Sequence, residues 1–339
     1  MGKKLLIMNA NYQGYHISAY DIYIVYFSGG KDSIACFLHL LEIGIPLNKI
    51  ELWHHNIDGQ EEKFMDWNVT PAYCQAFADA FGVKIYFSWK EGGFKGEMLR
   101  NNEFTKATTF ETPEGLKTIG GQGLRGKRST RLKFPQVSVD LSVRWCSAYL
   151  KVDIGAAALT NQDRFKGLKT VCISGERGEE SKARSNYADL ELDRTDNREG
   201  KNFKRYVDRW RPVKNWSEAE VWAIIERWKI RVHPCYYMGW SRCSCMFCIF
   251  GNADQFASAF AVNEARGNEI AMYEDSFGKT IKRNMSIQEL RAMGTAYKSI
   301  TPELIALANS TEYTLNIIIS DPEAWVLPAG AFGESCGPL

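Results

Sequence analysis

The chain has 339 residues, 45% of them hydrophobic and 24% charged, a globular composition that excludes wholesale disorder, collagen-like repeats and fibrous structure. Lys and Arg number 42 against 40 Asp and Glu, and the resulting net charge of +2 singles out no class of partner. Nine cysteines, an odd count in a chain of about two domains' length, argue for metal or thiol chemistry rather than a disulfide scaffold.

The opening MGKKLLIMNANYQGYHISAYD carries no cleavable signal pattern. The longest apolar runs, such as Ile22–Phe27 and Leu315–Ile319, are far too short to span a bilayer. A soluble cytoplasmic protein with no membrane partner is expected. In chain order, the β-branched and aromatic run Asp21–Phe27 predicts a buried strand, followed by SGGKDS (Ser28–Ser33) and a helix over Ile34–Ile43 that Gly44 and Pro46 stop. Ile50–His54 predicts a second strand, Thr70–Phe81 a helix, and Val83–Trp89 a third strand. Another strand, Thr170–Ser174, arrives about eighty residues later.

This alternation predicts an α/β fold, a Rossmann-like parallel sheet with flanking helices and right-handed crossovers. Between the third and fourth strands, residues 91–139 lack a sustained period and predict an insertion or long functional loop. Beyond residue 200 the chain turns to aromatic-rich helix and loop, with helices expected over Ala253–Arg266 and Ser286–Met293. The division expected is a nucleotide-binding α/β domain over 1–200, with its insertion at about 91–139, and a cysteine-bearing helical subdomain over 201–339.

SGGKDS lies where a buried strand meets a helix. Gly29 and Gly30 let backbone N–H groups converge, the helix N-terminus adds its positive dipole end, and Lys31 can neutralise phosphate. Ser28 and Ser33 offer hydroxyls, and Asp32 could orient Mg²⁺ or the loop itself. A plain Gly-rich turn with an N-cap is the competing reading. The loop differs from the Walker A pattern. It resembles the PP-loop of the adenine nucleotide α-hydrolase-like superfamily, the N-type ATP pyrophosphatases. That resemblance implies a parallel sheet, ATP as ligand, cleavage between the α and β phosphates, transfer of AMP to a substrate oxygen and release of pyrophosphate.

Further motifs resemble the PAPS-reductase-like branch: Arg144-Trp145-Cys146 with Leu150-Lys151, then Ser174-Gly175-Glu176-Arg177 with Glu179-Glu180-Ser181 and Arg184. RPVKNWSEAEVW (Arg211–Trp222) and HPCYYMGWSRCSCMFC (His233–Cys248) complete the set, so the likeness runs from about Ile22 to Gly251. It implies either adenylation coupled to sulfur transfer, with nucleic acid favoured as acceptor as in the DNA phosphorothioation enzymes of this branch, or sulfonucleotide (PAPS/APS) reduction. Reductases usually carry a modified loop and a terminal Glu-Cys-Gly motif. Here the loop is intact, and Glu334-Ser335-Cys336-Gly337 only loosely echoes that motif. A non-catalytic ATP-binding regulator is the alternative from another class.

Ligands of open α/β sheets sit beyond the carboxyl ends of the strands. This gathers Ser28–Ser33, His54–Gly59 and Ser174–Arg177 around one pocket. The candidate catalytic residues are Lys31, Asp32 and Arg177. Candidate nucleotide ligands are Ser28, Gly29, Gly30, Lys31, Asp32, Ser33, His55, Asn56, Asp58, Gly175 and Glu176, of which His55, Asn56 and Asp58 could equally be turn formers. Arg184 is a second candidate clamp, or a helix charge paired with Glu179 and Glu180.

Cys235, Cys243, Cys245 and Cys248 fall within fourteen residues, and Cys245–Cys248 is a C-x-x-C pair able to share one metal or cluster. The family-like positions Cys146, Cys245 and Cys248, with a fourth ligand from Cys243 or Cys235, point first to a [4Fe–4S] cluster and second to structural Zn²⁺. Cys36, Cys74 and Cys172 read as core thiols. LRGKRSTRLK (Leu124–Lys133) is a cationic run that could meet nucleic acid or another acidic substrate, or simply be a solvated loop. A sulfur donor or reductant protein is a further implied partner.

Overall fold

The computed structural model describes residues 11–12, 15–121, 126–138, 140–321 and 324–332. Leu124, Arg125 and Cys336, singled out above, lie outside the described residues. A short hairpin, β1 (Asn11–Tyr12) and β2 (Tyr15–His16), precedes the main sheet. That sheet has eight strands: β3 (Ile22–Tyr26), β4 (Ile50–Asn56), β5 (Lys84–Lys90), β6 (Thr108–Thr112), β7 (Gly115–Ile119), β8 (Lys169–Ile173), β9 (Leu190–Leu192) and β10 (Tyr206–Trp210). Their spatial order is β7-β6-β5-β4-β3-β8-β10-β9. The five inner strands, β5-β4-β3-β8-β10, run parallel, and antiparallel partners β6–β7 and β9 close the two ends. The chain therefore has the α/β parallel-sheet architecture that its strand–helix alternation predicts.

The period of two along β3 explains how the sheet is buried on both faces. Tyr23 and Val25 enter the larger core with α1 (Lys31–Glu42) and α2 (Thr70–Phe81), whereas Ile24 joins Trp53, Ala158, Leu159, Phe165 and Cys172 on the opposite face. The short helices α3 (Gly93–Met98) and α4 (Trp145–Ser147) precede α5 (Asp153–Thr160), which covers that second face; α6 (Lys182–Ser185) follows β8. Helix α7 (Glu218–Arg227) packs on α1. Beyond it lie α8 (Pro234–Tyr237), the cysteine-rich segment, and α9 (Ala253–Val262), α10 (Glu264–Phe277), α11 (Ile287–Met293) and α12 (Pro302–Asn309). Among the described residues, no helix is long and apolar enough to cross a membrane.

Two local expectations change. Residues 91–139 hold α3 and the β6–β7 hairpin, which extends the sheet beyond β5. The helix expected over Ala253–Arg266 is broken at Asn263 (φ −151°, ψ 85°), whose side chain accepts the Arg266 amide and so starts α10 anew.

Candidate functional site

β3 delivers the chain to Ser28 at the carboxyl edge of the sheet. Gly29 adopts φ +76°, and a Cβ there would stand 3.1 Å from Cys74 Sγ and 3.2 Å from the Tyr73 ring, so the loop needs glycine for both conformation and room. Gly30 is the N-cap of α1; its amide donates to Ser28 Oγ (3.3 Å) and its carbonyl accepts from Ser33 Oγ (2.8 Å). Lys31 is 1% exposed. Its Nζ donates to the Ser241 carbonyl at 2.8 Å and lies 3.4 Å from Glu218 and 3.7 Å from Asp32. The Lys31 amide donates to the Tyr236 hydroxyl (2.8 Å), which also accepts the Cys243 amide (3.2 Å). A Cβ on Gly30 would stand 3.3 Å from Cys243 Cβ. The cysteine-rich segment is thus fastened directly over the loop.

At the end of β4, His54 Nδ1 bonds the Phe27 carbonyl (2.9 Å) and His55 Nδ1 bonds Ser88 Oγ (2.7 Å). Burial pushes His54 down to about 4 and His55 to about 3, so both rings are neutral at pH 7. Unfolding returns each to about 6.5, and below that pH the unfolded chain takes up protons that the folded chain refuses. Stability is therefore full above pH ~6.5 and falls as the pH drops toward 4. The expected loss at pH 5 is about 1–2 kcal/mol for each ring. Urea midpoints at pH 7.5 and pH 5 measure it, and equal midpoints would contradict the burial argument. Asn56 and Asp58 are also buried. Asp58 Oδ2 accepts the amides of Met65 (3.0 Å) and Asp66 (2.8 Å), which makes it the organiser of the following turn.

β8 ends at Ser174. A Cβ on Gly175 would come 2.8 Å from the Asp32 carbonyl carbon, so this glycine lets the β8 loop touch the first turn of α1. Glu176 accepts from Ser174 Oγ (2.9 Å) and Arg211 Nε (2.7 Å); burial raises its carboxyl, Arg211 outweighs burial, and the net shift is down. Arg177, 3% exposed, donates to Asp32 Oδ1 at 2.6 Å, pairs with Glu179, and reaches Glu218 at 3.8 Å. It fixes Asp32 from behind. Arg184 pairs with Glu180, the helix-charge reading of that residue.

These strand ends surround a cavity of about 610 Å³ where the strand order reverses between β3 and β8. Tyr26, Ser28, Trp53, His54 and His55 form one wall, Ser174, Glu176, Tyr187, Arg209 and Arg211 another, and Asp66, Lys151, Cys243, Ser244 and Cys245 the rest. Of the candidate residues, Gly29–Ser33, Asn56, Asp58, Gly175, Arg177, Cys146 and Cys248 stand outside its lining.

The cysteines divide. Lys151, exposed to the cavity it lines, faces Cys245, Cys146 and Cys248: partial desolvation lowers its ammonium, the thiols and Asp66 raise it, and the net shift is up. Burial raises the Cys146 and Cys245 thiols, and the neighbouring Cys248 raises each of them further. Cys243 instead groups with His233 and Cys235; among the described residues these are the three His, Cys or acidic ligand atoms that lie within 4.8 Å of one another. A hydrogen bond with Cys235 draws the Cys243 thiol down, burial opposes it, and His233 draws it down again. Cys36, Cys74 and Cys172 are buried thiols.

Within the cationic run, Arg131 is no surface charge: it pairs with Glu97 at 2.6 Å and stacks 4.6 Å from the Trp145 ring centroid. Lys127, Arg128 and Lys133 are not buried in this way. Tyr236, Glu218, Ser241, Lys151 and Asp66 are site residues that single-residue reasoning passes over. All but Asp66 lie inside the family-like motifs, and that membership is the signal that could have found them.

Residues 135–250 match the family model of the phosphoadenosine phosphosulfate reductase domain. An uncharacterized 37.8 kDa protein of Escherichia phage 186 is 26% identical over 253 residues, covering 71% of this chain and 70% of that protein. Two solved structures of Candida glabrata FMN adenylyltransferase, one with FAD and inorganic pyrophosphate and one with FMN and the ATP analogue AMPCPP, align at TM-scores of 0.36 with 10% and 11% identity. They cover 92% and 96% of this chain and 80% and 86% of theirs. The matched family segment contains Arg144–Cys146, Ser174–Arg177, Arg211–Trp222 and His233–Cys248, so the chain resembles the PAPS-reductase-like branch of the PP-loop proteins over the motifs that lie around this cavity.

Proposed function

We propose that this chain is a PP-loop enzyme that cleaves ATP to AMP and pyrophosphate, adenylating an acceptor oxygen that a sulfur nucleophile then replaces. The observation that carries the reading is the intact SGGKDS loop at the β3–α1 junction, whose Ser28 lines the cavity together with the thiols of Cys243 and Cys245 and whose Lys31 is buried behind it. The adenosine would occupy the cavity beside Tyr26, Trp53 and His55, with the phosphates toward Ser28 and the α1 N-terminus. The acceptor oxygen attacks the α-phosphorus, the bond to the β-phosphate oxygen breaks, and pyrophosphate leaves. Lys31 has three donors, of which one holds Ser241, so it can meet the charge that develops on the leaving group. Asp32, oriented by Arg177, is the candidate holder of Mg²⁺. The sulfur nucleophile then attacks the adenylated centre and displaces AMP.

Cys146, Cys245 and Cys248 offer three of the four thiolates of a cluster, grouped around Lys151, with Cys245 and Lys151 lining the cavity. A cluster there would supply or hold sulfide, or pass electrons. Nucleic acid is the favoured acceptor, with Lys127, Arg128 and Lys133 as its contacts. The test is radiolabelled ATP with and without DNA or tRNA, separating AMP, ADP and pyrophosphate. AMP with pyrophosphate supports the proposal, ADP refutes it, and tight binding without turnover favours a regulator.

One observation favours sulfonucleotide reduction as the second reading. Cys243 sits on Gly30 and Tyr236 takes the Lys31 amide, so the face of the loop that would hold a pyrophosphate is covered, whereas the open cavity offers thiols beside Lys151. Reduction of PAPS or APS by thioredoxin would establish it. Both readings put the nucleotide in the cavity that Lys151 lines. Lys151→Met is expected to weaken nucleotide binding about 10- to 100-fold, the loss of one charge-assisted contact. Calorimetric titration measures this, and an unchanged Kd would remove Lys151 from the site.

A further inference from the structure

We propose that His233, Cys235 and Cys243 form a mononuclear zinc site on the cavity rim, separate from the Cys146, Cys245 and Cys248 group. This donor set stands independently of the adenylation reading. A ring nitrogen of His233 and the Sγ atoms of Cys235 and Cys243 lie within 4.8 Å of one another. With Zn–S bonds of about 2.3 Å in a tetrahedron, neighbouring sulfurs stand about 3.8 Å apart. Ligation then asks for a small adjustment in which His233 Nδ1 exchanges the Cys235 amide for the ion while its Nε2–H stays on Thr70 Oγ1.

The local fold builds this convergence. His233 is the N-cap of α8 and accepts the Cys235 amide at Nδ1 (3.2 Å), while its Nε2 shares a hydrogen bond with Thr70 Oγ1 (3.2 Å) at the start of α2. Gly239, at φ +108°, helps turn the chain back so that Cys243 returns to Cys235. His233 and Cys235 are fully buried, and Cys243 lines the cavity.

The donor chemistry selects the ion. Two thiols and an imidazole without a carboxylate suit zinc and disfavour the oxygen-seeking Mg²⁺ and Ca²⁺. Two thiolates balance a divalent cation, which removes the cost of burying either charge alone. Three protein ligands leave a fourth position for water or a phosphate oxygen, the pattern of an open zinc site. Cys243 packs on Gly30, so the donor group borders the SGGKDS loop.

The test uses the full chain, reduced, stripped with a chelator and titrated with Co²⁺ alone, then with Zn²⁺. One equivalent of cobalt with thiolate charge-transfer absorption, displaced by zinc, is expected. That equivalent should be lost in Cys235→Ser and His233→Ala and kept in Cys245→Ser and Cys248→Ser. Thr70→Val should weaken it about tenfold or more, because partners that orient a ligating histidine contribute that much. In the unmutated chain, zinc should shield Cys235 and Cys243 from alkylation in a peptide map, a readout independent of whether any variant folds. The proposal is overturned if zinc gives no such protection, if Cys235 and Cys243 are found as a disulfide that binds no cobalt, or if the cobalt spectrum follows Cys245 and Cys248 instead. Absence of AMP formation would leave each of these readouts unchanged.

Discussion

Lys31→Met is expected to lower AMP-forming turnover about 100- to 1,000-fold, the range for removing one donor aimed at developing charge. Methionine keeps much of the unbranched stem, so the packing of a side chain that is 1% exposed is largely preserved. What disappears is the ammonium, with its bond to Ser241 and its attraction to Glu218 and Asp32. Those two carboxylates do not become isolated, because Arg177 donates to Asp32 at 2.6 Å and reaches Glu218 at 3.8 Å. Stability should therefore change far less than turnover. Initial rates of AMP release over a range of ATP concentrations, with the thermal midpoint measured in parallel, separate the two effects. A kcat loss with little change in KM is expected if Lys31 acts on the transition state. Unaltered kcat and KM would show that the loop lysine does no chemistry and serves only to pin the Ser241 segment.

How much of this could be read from sequence depended on whether the signal was local. The β3–loop–α1 unit was legible because a β-branched run, two glycines and a lysine are contiguous, and the pattern maps onto Ile22–Tyr26 and Lys31–Glu42. The β6–β7 hairpin was not. Gly115, Leu116, Lys117 and Thr118 are all exposed along β7, so that strand has no apolar face to betray its period of two. Asn263 hid the break between α9 and α10 because an asparagine cap inside an apolar helical pattern resembles an ordinary polar position. The cysteines were visible as a cluster, yet their partition was not. Cys243 and Cys245 are two residues apart but face different partners, His233 and Cys235 for one, Lys151 and Cys248 for the other. Arg131 shows the converse error of a charge run, since its guanidinium is committed to Glu97 and Trp145.

Gly175→Ala should show that the two halves of the site depend on a single close approach. The added Cβ would stand 2.8 Å from the Asp32 carbonyl carbon and 3.0 Å from its oxygen, and both are backbone atoms of the first turn of α1. No rotamer change relieves such a contact, so β8 and α1 must separate, at a cost of about 1–3 kcal/mol. Separation stretches the Arg177–Asp32 bond and moves Ser28 away from Ser174 across the cavity. The expected result is a thermal midpoint lower by roughly 2–8 °C, together with ATP binding at least about tenfold weaker, equivalent to about 1.4 kcal/mol. Gly44→Ala supplies the contrast. Gly44 has φ +82° with nothing within 4 Å of the added Cβ, so alanine there brings backbone strain without crowding. That variant should lose about 1 kcal/mol of stability and bind ATP normally. If Gly175→Ala were destabilised to the same extent yet bound ATP as tightly as the unmutated chain, the contact between the β8 loop and α1 would be structural only, and the nucleotide would have to lie elsewhere in the cavity.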